Sequence, residues 1–295
     1  MGLRARAPYF AYRAGAAAAR AVPEPLAAHG ARALGAVLGS ALRGRREMIV
    51  RHLERVRGRP FGPLERREAI RKSFDSYARY WLESFRVPYM DKDELDSRLV
   101  LEGFEHMEAG FANGKGVIMA APHIGSWDLA GAWLAARGVR ATVVAEVVEP
   151  PELFEWFTAS RERVGMTVLP LDSHAGSALL ATLRRNELVG LVCDRDIGGG
   201  GVEVEFFGER TTLPGGPATL ALRTGAALVP IGVYAIDARR HRGVIRPPIP
   251  VERTGRLRDD VVRITQLLAH ELEDIIRQSP EEWHLFQPNW PSDRP

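Results

Sequence analysis

Val117-Ile-Met-Ala-Ala121 is a run of five apolar residues boxed between Gly114-Lys-Gly116 and Pro122, and it constrains the fold more than any other stretch. A segment this short, with no polar alternation, has both faces covered, which is the pattern of a strand inside a parallel sheet. Pro122 cannot donate to a ladder and stops the strand. Ser126 then suits a helix N-cap, Asp128 falls in the first turn where the helix dipole favours negative charge, and Gly138 suits the end. His123 therefore sits on a strand-to-helix turn at the carboxyl end of a strand, the edge at which open α/β sheets bind ligands.

Comparable runs recur along the chain. Residues 140–145, 167–169, 188–193 and 227–235 read as further strands, and 127–136, 151–164 and 174–185 as the helices between them. Val202-Glu-Val-Glu-Phe206 alternates strictly and reads as a strand with one wet face. In Asp260 to Gln278, Val261, Ile264, Leu268, Leu272 and Ile275 share one helix face. The expected fold is α/β: a mixed, largely parallel central sheet flanked by helices, preceded by an N-terminal helical basic arm. Phe74, Tyr77, Tyr80, Trp81 and Phe85 recur at helical spacing before the sheet begins and read as a packing face.

Charge divides the chain at residue 72. Residues 1–72 hold sixteen Lys and Arg against five Asp and Glu, a net of +11, whereas residues 73–295 hold 24 against 32, a net of −8. Leu34, Val37, Leu38, Ala41 and Leu42 at helical spacing, followed by Arg43, Arg45, Arg46 and Arg51, make an amphipathic segment with cationic flanks. Such a segment lies on an anionic membrane surface or docks its stripe on the domain of residues 73–295, and the sequence leaves both readings open. Few aromatics interleave the arginines, which argues against nucleic acid. The expected location is peripheral, on the cytoplasmic face of the cell membrane: no run reaches the roughly 18 apolar residues a span needs, and the lone Cys193 lies in an apolar run, as an inert core thiol would.

Three of these strands end in an ionisable residue: His123, Glu146 and Asp194. If the strands are neighbours, an imidazole and carboxylates meet, which is what proton transfer needs: a base near neutrality and an acid to orient it. His123 and Asp128, five apart, would stand about 140° apart on one helix, so they meet only if His123 precedes it. No metal is expected, because no second histidine stands four residues away. Gly198-Gly-Gly-Gly201 precedes a strand and lacks the Lys-Ser/Thr of a phosphate loop, so it reads as a mobile loop. Leu213-Pro-Gly-Gly-Pro217 leads into a helix and reads equally as an anion site on its first amides or as a plain helix start.

His123 and Asp128 match the His-x4-Asp element of the lysophospholipid acyltransferase superfamily, which the chain resembles. Pro122 to Asp128, Tyr80 to Arg86, Asp194-Arg-Asp196, Val202 to Glu209, Leu213 to Pro217 and Trp283-His-Leu-Phe-Gln287 together are similar to the actinobacterial phosphatidylinositol mannoside acyltransferases, over roughly residues 70 to 290. The resemblance implies an acyl-CoA-dependent O-acyltransferase acting on a glycophospholipid, with acyl-CoA as co-substrate and no resident cofactor. In that reading His123 is the general base, Asp194 or Asp128 orients it, Glu146 binds acceptor hydroxyls, and Arg161, Arg163 and Arg195 bind lipid or coenzyme phosphates. The mannoside enzymes, as aligned, carry glutamate where this chain has Asp194. The shorter arm calls for a shifted backbone or a bridging water, and predicts that Asp194→Glu stays active. A lipid A-type acceptor and a noncatalytic lipid-binding protein are the rival readings.

Overall fold

The computed structural model describes residues 6–294. Four helices lead: α1 (Ala7–Ala21), α2 (Glu24–Ala41), α3 (Arg43–Arg57) and α4 (Pro63–Arg86). α4 starts where Pro63 fits the first turn and the Glu65 carboxylate accepts the Gly62 N–H at 3.0 Å, and it continues unbroken past residue 72. Then come α5 (Lys92–Arg98), β1 (Leu99–Glu102), α6 (Phe104–Ala112), β2 (Val117–Ala121), α7 (Trp127–Ala135), β3 (Ala141–Ala145), α8 (Pro151–Glu162), β4 (Met166–Pro170), α9 (Ala175–Arg184) and β5 (Leu188–Val192). The chain continues through β6 (Val202–Phe206), β7 (Glu209–Leu213), α10 (Gly216–Thr224), β8 (Ala227–Ala235), β9 (His241–Ile245) and α11 (Leu257–Gln278).

The main sheet has the order β1-β9-β8-β2-β5-β3-β4. Every pairing is parallel except β8 with β9, so the sheet is mixed and largely parallel, as the apolar runs predict. β6 and β7 form a separate antiparallel hairpin, with Val204 and Phe206 inward and Glu203 and Glu205 outward. Helices cover both faces. On α11, Ile264, Leu268, Leu272 and Ile275 are fully buried, each side chain stabilising the core by about 1.5–3 kcal/mol.

One irregularity in the sheet matters for function. β5 pairs with β2 over its whole length, Leu188 to Val192, and β3 pairs with β4 through Ala145. Between β3 and β5, however, pairing runs only from Ala141–Leu188 to Val143–Gly190. The sheet is therefore split at its carboxyl edge, between Val144-Ala145 and Leu191-Val192.

The basic segment is divided between two of the N-terminal helices. α2 ends at Ala41 and α3 begins at Arg43. α3 buries Ile49, Val50, Leu53 and Val56, and the arginines of its last turn are engaged with the body of the protein: Arg55 with Glu209 and Asp293, and Arg57 with Glu281. α2 packs on α4 but leaves Leu26 and Leu34 more than half exposed. No helix among the described residues is long and apolar enough to cross a membrane.

Candidate active site

Strand register sets the site. Ala121 is level with Val192 across β2 and β5, and the ladder extends by Cys193 N–H to the Ala121 carbonyl at 2.9 Å, so two residues further on His123 stands level with Asp194. The Asp194 carboxylate is fully buried. Its Oδ1 lies 2.7 Å from His123 Nδ1, and its Oδ2 accepts the His123 backbone N–H at 3.0 Å and the Trp283 indole N–H at 2.7 Å. Burial alone would raise the Asp194 pKa, but the imidazole and these three donors outweigh it and hold the carboxyl below its ordinary value. An ionised Asp194 makes Nδ1 the protonated nitrogen and leaves Nε2 with its lone pair, on a ring that is 27% exposed. Asp194 reaches the imidazole directly, so the bridging water that its shorter arm suggests is not needed.

The turn carrying His123 is clasped from the far end of the chain. Ile124 bridges Trp283 in antiparallel fashion, His284 N–H donates to the His123 carbonyl at 2.7 Å, and Gly125 N–H donates to the Glu282 carbonyl at 3.1 Å. Gly125 has φ +58°, and a Cβ there would lie 1.8 Å from the Val233 carbonyl oxygen. Only glycine fits between the turn and β8.

Asp128 does other work. It is bound by Arg161 through Nε at 2.9 Å and Nη2 at 3.2 Å, by the Tyr80 hydroxyl at 3.0 Å and by Ser84 Oγ at 3.3 Å. Those four donors occupy both oxygens, and among the described residues none comes from His123. Burial disfavours the Arg161 charge, yet the adjoining Asp128 carboxylate raises its pKa above the ordinary value. Burial and that same carboxylate push the Tyr80 phenol well up, so it stays a donor. Ser126 occupies the expected N-cap position of α7, but its hydroxyl makes no capping bond.

These groups surround a cavity of about 900 Å³ that enters the sheet through the split. Val144, Ala145, Leu191 and Val192 line it from the two parted strands, Leu134 and Leu180 from the helices on either face, and His123, Asp128, Glu146, Arg161 and Arg195 at its polar end. Glu146 and Arg195 pair at 3.6 Å. The Gly198–Gly201 loop and Gly215-Gly216 at the start of α10 complete the lining. Arg163 stands apart: it caps the C-terminus of α8, is exposed, and packs its guanidinium 5.0 Å from the Tyr89 ring centre. Cys193 is buried, which pushes its thiol pKa up and keeps it inert. No cluster of metal-ligating side chains occurs among the described residues.

Trp283, Tyr80 and Ser84 are the site-forming residues that reasoning along the sequence does not assign. Trp283 lies 89 positions from Asp194, and no periodicity links them; the one signal is that Trp283, Tyr80 and Ser84 all fall in segments the acyltransferase resemblance picks out.

Comparison with known proteins identifies the family. A profile of the bacterial lipid A biosynthesis acyltransferases matches residues 3–292, so the likeness takes in the N-terminal helices and is wider than residues 70 to 290. The phosphatidylinositol mannoside acyltransferase of Mycobacterium tuberculosis (strain CDC 1551 / Oshkosh) is 39% identical over 96% of this chain and 89% of its own. That of Mycolicibacterium smegmatis (strain ATCC 700084 / mc(2)155) is 38% identical over 96% and 91%. The lipid A biosynthesis acyltransferase of Haemophilus influenzae (strain ATCC 51907 / DSM 11121 / KW20 / Rd) is 25% identical over 74% of this chain and 67% of its own. With a buried carboxylate holding a histidine at the mouth of an apolar cavity, and with this likeness along nearly its whole length, the chain belongs to the bacterial lipid A biosynthesis acyltransferase family and is an acyltransferase.

Proposed function

We propose that this enzyme moves a fatty acyl group from acyl-CoA to a hydroxyl of a mannose in a phosphatidylinositol mannoside. The observation that carries the reading is the His123–Asp194 pair at the polar end of the cavity in the split sheet. The relatives' printed activity supplies the acceptor class.

His123 Nε2 takes the proton of the acceptor hydroxyl as its oxygen attacks the thioester carbonyl carbon. The tetrahedral intermediate collapses with cleavage of the carbon–sulfur bond. The departing CoA thiolate recovers the proton from the imidazolium, which Asp194 stabilises meanwhile. No acyl-enzyme forms. The apolar cavity receives the acyl chain, as its lining by Leu134, Leu180 and Leu191 suits. Glu146 accepts hydrogen bonds from sugar hydroxyls, held by Arg195. Arg161, fixed by Asp128, is suited to a phosphate or to the developing oxyanion.

Membrane contact falls to the N-terminal helices. Leu26 and Leu34 present an exposed apolar face on α2. Arg43, Arg45 and Arg46 follow it and make no ion pair with the described residues, a combination suited to peripheral binding on the cytoplasmic, anionic leaflet.

Mass spectrometry of products from acyl-CoA incubated with phosphatidylinositol mannosides and with lipid A precursors tests the acceptor, since acylation of the lipid A precursors alone would replace it. His123→Ala is expected to lose about 10²- to 10⁴-fold in kcat with its melting temperature retained, and near-normal turnover by the folded variant would exclude the base.

A further inference from the structure

We propose that Trp283 is a positioning residue for the acyl transfer, acting through Asp194. The inference rests on the proposed role of the His123–Asp194 pair. A carboxylate that only neutralised an imidazolium could rotate about its Cα–Cβ and Cβ–Cγ bonds; here the rotation is blocked by bonds that differ between the two oxygens. Oδ2 receives two N–H donors, the Trp283 indole at 2.7 Å and the His123 amide at 3.0 Å, and Oδ1 is left to face Nδ1 at 2.7 Å. The indole thereby decides which oxygen meets the ring, and in which plane. The Asp194 main chain is gripped from the same segment, because Asn289 Nδ2 donates to its carbonyl at 3.0 Å.

Trp283 is itself held on every side, as a positioning group must be. Its backbone bridges Ile124 beside the catalytic turn. Its ring packs 5.4 Å from His52, 5.9 Å from Phe207 and 6.2 Å from both Phe206 and Trp290. The segment is tied down by a buried bond of 3.0 Å from His52 Nε2 to Asp293, and His52 Nδ1 meets the Leu285 carbonyl at 2.9 Å. Nothing in this arrangement requires an indole N–H for packing. Among the described residues the one hydrogen-bond partner of that N–H is the carboxylate.

Trp283→Phe keeps an aromatic ring and removes the donor. A hydrogen bond to a charged group is strong enough that kcat should fall about tenfold to a hundredfold, with KM unchanged. With one donor fewer, the carboxylate stabilises the imidazolium more, so the acid limb of kcat/KM moves to higher pH; a purely structural residue would leave the limb in place. In an Asp194→Asn background the same change should cost less than about twofold, because an amide at 194 no longer holds the His123 tautomer that the indole serves to position. Trp290→Phe serves as the control, since its indole donates to the Phe206 carbonyl at 3.2 Å and not to a carboxylate; it should lower the melting temperature and spare kcat. If Trp283→Phe does not fold, benzothienylalanine at 283 preserves the bicyclic shape, replaces N–H with sulfur and should show the same loss. Wild-type kcat in a donor-free variant, an unmoved acid limb, losses that multiply in the double variant, or an equal kcat loss from Trp290→Phe would each overturn the assignment. A folded Asp194→Asn enzyme with normal turnover would instead overturn the reading beneath it.

Discussion

Replacing Asp194 with asparagine changes one atom and should disable the enzyme through the tautomer of His123. The carboxylate takes three N–H donors on its two oxygens, in a place with no water access. An amide has one acceptor end. If its oxygen takes the Oδ2 position, the bonds from the His123 amide and from Trp283 survive and the NH2 group faces Nδ1. If it takes the Oδ1 position, both of those donors meet NH2 hydrogens. Each bond to the carboxylate being worth about 1.5–3 kcal/mol, the first orientation wins. Nδ1 must then be an acceptor, and the ring proton moves to Nε2, the atom that has to take the acceptor's proton. The equivalent change in the Ser-His-Asp triad lowers kcat about 10⁴-fold, or about 5 kcal/mol; a loss of about 10³- to 10⁴-fold is expected here, with KM for acyl-CoA little changed. Thiol release from acyl-CoA, followed with a saturating glycolipid acceptor, measures it. A folded variant within tenfold of wild type would refute the tautomer argument. Asp194→Glu, which the alignment alone predicts to be active, should instead be impaired. The shorter arm already reaches 2.7 Å, and an extra methylene in a fully buried site costs about 1–3 kcal/mol in strain.

Two further perturbations probe other parts of the molecule. Changing Arg43, Arg45, Arg46 and Arg51 to Gln should weaken co-sedimentation with anionic vesicles by up to a few kcal/mol at about 1 kcal/mol per charge, less for Arg51, which also donates to the Ser292 carbonyl at 3.3 Å; equal sedimentation at low salt would reduce α2 and α3 to a structural cap. His284 is buried, with Nε2 2.9 Å from Ser76 Oγ, and burial lowers its pKa to about 3. Between that value and the ordinary histidine pKa the unfolded chain binds a proton that the native one refuses, so stability falls as pH drops through this window, by on the order of a few kcal/mol. His284→Gln should flatten the dependence in urea melts from pH 6.5 to 4, and an unchanged slope would count against a neutral buried imidazole.

The strands that were legible in the sequence are those whose burial is written as an apolar run or as strict apolar–polar alternation. Val117–Ala121, Val202–Phe206 and Ala227–Ala235 are read to the residue. β1, β7 and β9 are not, because Leu99–Glu102, Glu209–Leu213 and His241–Ile245 are short and carry Glu, Arg or Thr at their wet positions, and the last opens on a polar residue, His241, that is buried. Edge strands and hairpins take such residues from tertiary context rather than local pattern. Within the site, the meeting of His123, Glu146 and Asp194 was legible because all three follow strands, and β5 does lie between β2 and β3. The choice between Asp128 and Asp194 as partner of the imidazole was not. It depends on Tyr80, Ser84 and Arg161 filling the Asp128 oxygens. Arg163, two residues from Arg161, lies past the end of α8 with its guanidinium over the Tyr89 ring, a separation of the two arginines that local sequence does not reveal.

The clasp between the catalytic turn and the end of the chain also bears on how the enzyme is made. The bond from His52 to Asp293 spans 241 residues, that from His52 to Leu285 spans 233, and the one from Trp283 to Asp194 spans 89. Contacts of such separation close late, after local helices and neighbouring strands have formed. During synthesis the sheet and its cavity can assemble while residues 279–294 are still in the ribosomal tunnel, yet Asp194 lacks its indole donor and the His123 turn its outer strand until translation has passed them. A chain cut before Trp283 would lack both the indole donor and the outer strand of the His123 turn, so it is expected to lose acyl transfer; thiol release at the wild-type rate from such a truncated protein would count against the role of the clasp.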